Sequence, residues 1–173
     1  MDKFRNYDIA FSGLKDGKHD FRFEVNQAFF NLFETEQEFS NPKIIADVFL
    51  DKHSTFLEFE INVKGSIQLV CDITLKDFDY PIENQIKVLV KFGEVYDDSD
   101  VDIITIPHKE NAFNIAQLLY EDIVLTVPMK KVSPDLSQED IALLEKFSPQ
   151  EDEIEEQEDE IDPRWNALKN LKK

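Results

Sequence analysis

The chain has 173 residues and a formal net charge of −18, from 19 Lys+Arg against 37 Asp+Glu. The length allows one ordinary domain with a tail, and 42% hydrophobic residues suffice for a core, which excludes a wholly disordered acidic chain. The charge excludes nucleic-acid binding through a broad basic face, and the single Cys excludes an internal disulfide or a zinc site built on cysteine pairs.

The first elements predicted along the chain are a β-hairpin and a short helix. Apolar and polar residues alternate on both sides of Asp16-Gly17 between Tyr7 and Val25. An Asp-Gly pair between two such runs is a strong hairpin signal. Asn26 is then typical of an N-cap, for a helix that extends to about Glu36.

The middle of the chain, from Pro42 to Phe92, predicts a meandering antiparallel sheet of four or more strands. Period-2 alternation recurs in successive runs, and Lys64-Gly65-Ser66 is expected to separate two of them. A further short strand is predicted to end at Pro107.

Two helices are predicted next. Apolar residues recur three or four positions apart from Phe113 to Val127, and Pro128 is expected to end this helix. A second helix is predicted to begin near Ser137. The predicted fold class is therefore α+β: an antiparallel meandering sheet packed with a few helices, in a single domain over residues 1–149.

The last 24 residues form two segments of opposite charge, an acidic one followed by a basic one. Residues 150–162 contain nine carboxylates among thirteen residues and predict an acidic disordered linker. Residues 163–173 contain four basic residues and predict a short amphipathic basic helix. A net charge of −13 is left for residues 1–149.

No motif of the sequence predicts catalysis. The four Gly do not form a phosphate-binding loop, and the alternation around Cys71 favours a buried small hydrophobe over a nucleophile. The three His fall in scattered loops, and Asp97–Asp102 lacks the turn glycine at the sixth position and the ligand glutamate at the twelfth position of a calcium loop. We therefore expect no enzymatic activity, metal, cofactor or small-molecule substrate. A hydrolase that uses dispersed carboxylates remains a lower-ranked alternative.

Three segments together resemble the YceD family of large ribosomal RNA subunit accumulation proteins. Gly65–Leu75 is similar to the family's "G-x-hydrophobic-x-L-x-C-x-R-C-L" strand, and Leu118–Met129 to its "E-x-I-x-L-x-hydrophobic-P" segment. Asp162–Leu171 is close to its terminal "D-P-R-W-x-x-L-x-x-L". The residues that carry the three motifs are Gly65, Leu69, Cys71, Leu75, Glu121, Leu125, Pro128, Asp162 and Pro163.

The chain departs from the family pattern at two positions. Ile73 stands where many members have Arg, and Thr74 where many have a second Cys. Some members carry later cysteines suited to zinc, whereas this chain has none after Cys71. A metal-binding role is therefore not carried over. The resemblance implies participation in accumulation or maturation of the large-subunit (23S) rRNA, without a known catalytic activity.

The leading hypothesis is accordingly a non-enzymatic ribosome biogenesis factor whose partner is large-subunit rRNA or a ribosomal protein. An acidic body favours contact through the basic terminal element, where Trp165 stacks or fills a pocket and the cations meet phosphate or carboxylate. Whether this element docks on its own domain or binds a partner stays open. The expected contact residues are Arg164, Trp165, Leu168, Lys169, Leu171, Lys172 and Lys173.

The alternative is an acidic interaction module or chaperone for a basic ribosomal protein, in which the tract Glu151–Asp162 carries the function. The charged N-terminal residues predict no secretory signal, and no apolar run approaches the length of a membrane span. We expect a cytoplasmic protein without membrane contact.

Overall fold

A computed structural model describes residues 3–100 and 102–147 of the chain. The chain divides into two units, Met1–Pro134 and Asp135–Lys173, each described by itself below. The expected contact residues of the terminal element and the acidic linker lie outside the described residues. The domain boundary at residue 149 stays a prediction.

The described part of the first unit consists mainly of strands. A 3-10 helix spans Lys3–Tyr7, and two α-helices are α1 (Gln27–Phe30) and α2 (Ala116–Thr126). The strands are β1 (Asp8–Ala10), β2 (Gly17–Val25), β3 (Ser40–Lys52), β4 (Phe56–Val70), β5 (Asp77–Gly93), β6 (Ile103–Pro107) and β7 (Ala112–Asn114).

Five of the strands form one sheet in the order β2-β3-β4-β5-β6. Strands β2 to β5 are an antiparallel meander, whereas β6 pairs with β5 in parallel, with Leu89 beside Ile103. Strands β1 and β7 form a separate antiparallel pair, with Ile9 beside Phe113. The predicted α+β class is confirmed. The predicted antiparallel meander comprises β2 to β5, and the edge strand β6 makes the sheet mixed.

The core lies on one face of the large sheet because the strands alternate in polarity. Val48 on β3 and Phe59 on β4 are buried, and the neighbouring positions of each strand face the other way. Phe113 of β7 contacts Phe59 with ring centroids 5.0 Å apart, so the two-stranded sheet packs on this face. Helices α1 and α2 contribute to the same core through Phe30 and Leu119, among others.

Local chemistry predicts the start of α1 but not its end, and it does not predict the start of α2. The Asn26 side chain accepts a hydrogen bond from the amide of Ala28 at 2.9 Å, which caps α1. Helix α1 ends at Phe30 instead of continuing to Glu36. Helix α2 begins at Ala116, three residues after the predicted start, because Ala112–Asn114 pairs with β1 as a strand.

The predicted hairpin at the start of the chain is wrong. Strand β2 pairs with β3, with Gly17 beside Lys52, while β1 pairs with β7. Gly17 does have a positive φ, of 119°, as expected for a turn glycine. Pairing of β1 and β2 with other strands therefore outweighs the local tendency of Asp16-Gly17 to form a hairpin.

The predicted separation of two strands at Lys64-Gly65-Ser66 is also wrong, because these residues lie inside β4. Gly65 is needed there because a Cβ would lie 2.2 Å from the carbonyl oxygen of Lys43 on β3. This glycine permits close approach of two strands and does not break one.

In the second unit, the structure describes helix α3 (Gln138–Phe147), which begins as predicted after Ser137. The Ser137 hydroxyl accepts from the Asp140 amide at 3.2 Å, and the Asp140 carboxylate accepts from the Ser137 amide at 3.1 Å. This reciprocal pair is a capping box with Asp in the place of the usual Glu.

Candidate functional site

The loop between β4 and β5, Cys71–Lys76, carries the centre of the first family motif. It is closed by two backbone hydrogen bonds, from the Cys71 amide to the Lys76 carbonyl and from the Leu75 amide to the Cys71 carbonyl, both 2.9 Å. Leu75 has a φ of 56°, in the left-handed region that a bulky side chain rarely adopts. Its side chain is 77% exposed, so the strain is not balanced by burial of this leucine.

The sulfur of Cys71 lies beneath this loop. The side chain is fully buried, as its strand alternation predicted, and Sγ accepts from the Ser133 amide at 3.4 Å. Hydrogen bonding from Thr74, together with the Ser133 amide, lowers the pKa of the Cys71 thiol to about 7, although burial raises it. Thr74, which stands at the family's second cysteine position, therefore contacts Cys71, which stands at the first cysteine position.

A second segment, residues 127–133, is hydrogen-bonded to the Cys71 loop. The Asp72 amide donates to the Lys131 carbonyl at 2.8 Å, and the Lys131 amide donates to the Asp72 carboxylate at 2.7 Å. The Lys131 ammonium also pairs with Glu38 at 2.6 Å. These bonds hold the loop and the segment that follows α2 in one fixed arrangement.

The second family motif lies on α2 and just beyond it. Glu121 accepts from Gln117 one turn earlier at 2.5 Å, and its side chain faces solvent. Leu125 is 83% exposed on the last turn, and Pro128 follows the end of the helix. Met129, next along the chain, is fully exposed. We call Leu75, Leu125 and Met129 the motif leucine–methionine set.

The remaining described motif residues serve the fold. Gly65 permits the approach of β3, and Leu69 is fully buried on the core face of β4. The structure thus separates the motif positions into a buried group, Leu69 and Cys71, and an exposed group, Leu75, Glu121 and Leu125. Asp162 and Pro163 lie outside the described residues.

Sequence reasoning missed the contacts that hold this region together. The Asp72–Lys131 bonds join residues 59 positions apart, and no local pattern marks either one. Asp122 on α2 was missed in the same way: it accepts a hydrogen bond from Asn84 on β5, and its second oxygen is buried without a partner in the described part of the chain. Burial raises the pKa of the Asp122 carboxyl.

No group of three or more His, Cys, Asp or Glu in the described residues is arranged to hold a metal ion. No helix in the same residues is long and apolar enough to cross a membrane.

These features define a small α+β protein whose exposed apolar motif residues lie on the Cys71 loop, on the last turn of α2 and just after this helix. The family model of the large ribosomal RNA subunit accumulation protein YceD matches residues 59–172, and the chain belongs to this family. The chain is also 28% identical over 123 residues to the Bacillus subtilis (strain 168) protein YlbN, described as uncharacterized; the match covers 71% of this chain and 70% of YlbN. No solved structure matches significantly.

Proposed function

We propose that this protein is a non-enzymatic factor that supports accumulation and maturation of large-subunit (23S) rRNA in the cytoplasm. The observation that carries the proposal is the family match over residues 59–172, which takes in most of β4, the Cys71 loop, α2 and all but the last residue of the basic terminal segment. The factor acts by binding, on large-subunit rRNA or on a ribosomal protein.

The distribution of charge supports contact through the terminal segment. Residues 1–149 carry a net charge of −13, which opposes approach of a phosphate backbone, whereas residues 163–173 carry four basic residues and no acidic ones. Arg164 and Lys169 are suited to phosphate, and Trp165 to an unpaired base or an apolar pocket. The proposed contact set is completed by Leu168, Leu171, Lys172 and Lys173.

The exposed motif residues support a second contact. Leu75 is held in a strained backbone conformation with its side chain in solvent, and Leu125 is 83% exposed. Because neither side chain stabilises the core, their presence in the family motifs favours a role in binding. We propose that the motif leucine–methionine set meets the same ribosomal partner.

The test is ribosome association in cells that lack the native protein. Deletion of Pro163–Lys173, and separately Trp165→Ala, are expected to reduce both large-subunit rRNA and co-sedimentation with large-subunit particles. The double variant Lys15→Ala/Lys109→Ala is the matched control, since it removes two exposed cations from the body. If neither terminal variant changes either readout in a stably expressed protein, the terminal contact is wrong.

The second contact has its own test. Leu75→Ser/Leu125→Ser is expected to weaken co-sedimentation, whereas Val95→Ser, at an exposed position outside the motifs, is expected to leave it unchanged. Equal behaviour of the two variants contradicts a binding role for the motif leucines.

The second candidate function is a chaperone for a basic ribosomal protein. Nine carboxylates among residues 151–162 favour a salt-sensitive complex with a strongly cationic chain. Replacing these carboxylates with amides is expected to abolish the complex under this alternative alone, as measured by affinity purification at low and high salt with RNase treatment.

A further inference from the structure

The face of the five-stranded sheet opposite the core carries a half-exposed phenylalanine among carboxylates. Phe49 on β3 is 43% exposed and pairs with Asp20 on β2 and with Glu60 on β4. Directly opposite residues on neighbouring strands place their Cβ atoms about 4.5–5.5 Å apart and point to the same face. One carboxylate therefore flanks Phe49 on each side.

The next row of the same face adds two more carboxylates. Asp51 lies two residues beyond Phe49 on β3 and pairs with Glu58 on β4. The side chains line a shallow concavity of about 550 Å³, in which Lys18 is the single basic residue among the described ones. We call this concavity the Phe49 basin; it is formed mainly by Lys18, Asp20, Phe49, Asp51, Glu58 and Glu60.

The negative charge of the basin is only partly neutralised. Glu60 pairs with Lys87 at 3.5 Å, and Asp51 lies 3.6 Å from His53. Asp20 and Glu58 have no ion pair within the described part of the chain.

The adjoining rows of the same face differ from the basin. There Arg22 pairs with Asp47 at 2.6 Å, and Lys64 pairs with Glu83 at 2.8 Å. Glu24, opposite Ile45 on this face, also has no ion pair among the described residues, so the basin, with Asp20 and Glu58, is the larger but not the sole region of unbalanced acidity on the face.

The chemistry of the basin selects its occupant. A guanidinium or ammonium group gains from carboxylates and from the face of an aromatic ring, and its aliphatic stem covers apolar surface. A nucleic-acid backbone is repelled by these carboxylates, and a second copy of the chain would bring the same acidic face against its own.

We propose that the Phe49 basin binds an arginine- or lysine-rich segment of another polypeptide, with one cationic side chain seated beside Phe49 between Asp20 and Glu60. This site lies on the sheet, separate from both the terminal segment and the acidic tract. It does not depend on the rRNA function proposed above.

The experiment titrates the full isotope-labelled chain with a blocked peptide of alternating arginine and glycine, and follows amide resonances and affinity. Amide shifts are expected to concentrate on the strand positions of Asp20, Phe49 and Glu58. Asp20→Asn/Glu58→Gln is expected to weaken the peptide Kd about five- to tenfold, as for the loss of two exposed ion pairs.

Two matched controls separate the basin from general charge and exposure. Glu36→Gln/Glu110→Gln removes the same charge from exposed positions elsewhere, and Ile45→Ala shortens a side chain as exposed as Phe49 on the same strand. Phe49→Ala is expected to weaken the peptide, and Ile45→Ala is not. Equal urea midpoints for these two variants show that the difference is in binding.

Three results would overturn the proposal. The first is a peptide response confined to Glu151–Asp162, with an unchanged affinity in Asp20→Asn/Glu58→Gln. The second is a concentration-dependent dimer that Phe49→Ala disrupts. The third is an equal shift of the basin resonances by single-stranded RNA.

Discussion

Cys71 is a buried residue whose sulfur atom is surrounded by hydrogen-bond donors. The Ser133 amide lies 3.4 Å from Sγ, and the Thr74 hydroxyl contributes the largest effect on its titration. Donors stabilise the thiolate, so they lower the pKa of this thiol to about 7 from an ordinary 9.0. A residue that packs as a small hydrophobe therefore changes charge close to neutral pH.

This titration makes stability depend on pH in a defined direction. The folded-state pKa lies below the unfolded-state one, so ionisation of Cys71 adds to the free energy of unfolding above about pH 7, fully so above about pH 9. The increment is lost as the pH falls through about 7. We expect the difference in urea midpoint between the native chain and Cys71→Ala to grow between these two values.

Thr74→Val serves as the control for this prediction. This substitution removes the strongest hydrogen-bond donor to Cys71. In a chain that carries Thr74→Val, the change in urea midpoint caused by adding Cys71→Ala is therefore expected to grow less with pH than in the native chain. Parallel pH profiles for the native chain and Cys71→Ala contradict the lowered pKa.

At the scale of elements, strands β3 and β4 approach each other closely where β4 contains Gly65. A Cβ at this position would lie 2.2 Å from the Lys43 carbonyl oxygen and 2.6 Å from Ile44 Cα. Both are backbone atoms in a paired strand, so neither moves without shifting the ladder. The register irregularity of this pair, between Ser40 and Lys43, lies directly beside it.

Gly65→Ala is therefore expected to destabilise the fold by about 1–3 kcal/mol or more, the usual cost of overpacking. Gly13→Ala is the matched control, because nothing lies within 4 Å of an added Cβ at Gly13. The two free energies of unfolding, measured by urea denaturation, should differ by that amount. Similar stabilities would mean that the strands separate without cost.

Local patterns predicted what each segment becomes better than what it pairs with. Asn26 marks the start of α1, and period-2 alternation marked the strands in which Val48 and Phe59 are buried. The Asp16-Gly17 signal failed because β1 finds its partner in β7, far along the chain. Gly65 was misread because the need for close approach lies in the neighbouring strand.

The candidate site was predictable only in part. The motif segments containing Leu75 and Leu125 were located from sequence, but the exposure of both side chains was not, because the strand and helix patterns predict the buried positions. The Asp72–Lys131 bonds and the surroundings of Phe49 depend on register and tertiary contact. The predicted role of residues 163–173 remains a prediction.

At the scale of the whole molecule, the dominant feature is the net charge of −18. Only a few ion pairs offset it in the described part, such as Arg22–Asp47 and Lys64–Glu83, and their side chains are largely exposed. Exposed pairs contribute little, whereas uniform charge opposes a compact state through self-repulsion.

Added salt is therefore expected to stabilise the protein. Raising sodium chloride from low to physiological concentration and above should raise Tm by about 2–4 °C, which corresponds to roughly 1 kcal/mol for a domain of this size. Sorbitol at matched osmolality is the control for effects unrelated to screening. A fall in Tm with salt would mean that the ion pairs outweigh the repulsion.

The pairing of β1 with β7 has a consequence for how the chain is made. Asp8 and Asn114 are 106 residues apart, and Ile115 donates a hydrogen bond to the Tyr7 carbonyl at 3.1 Å. During translation, Ile9 emerges long before the Phe113 that pairs with it, while the meander from β2 to β5 is complete earlier. A growing chain thus exposes part of its core face until β7 and α2 leave the exit tunnel, and closure of the fold comes late in synthesis.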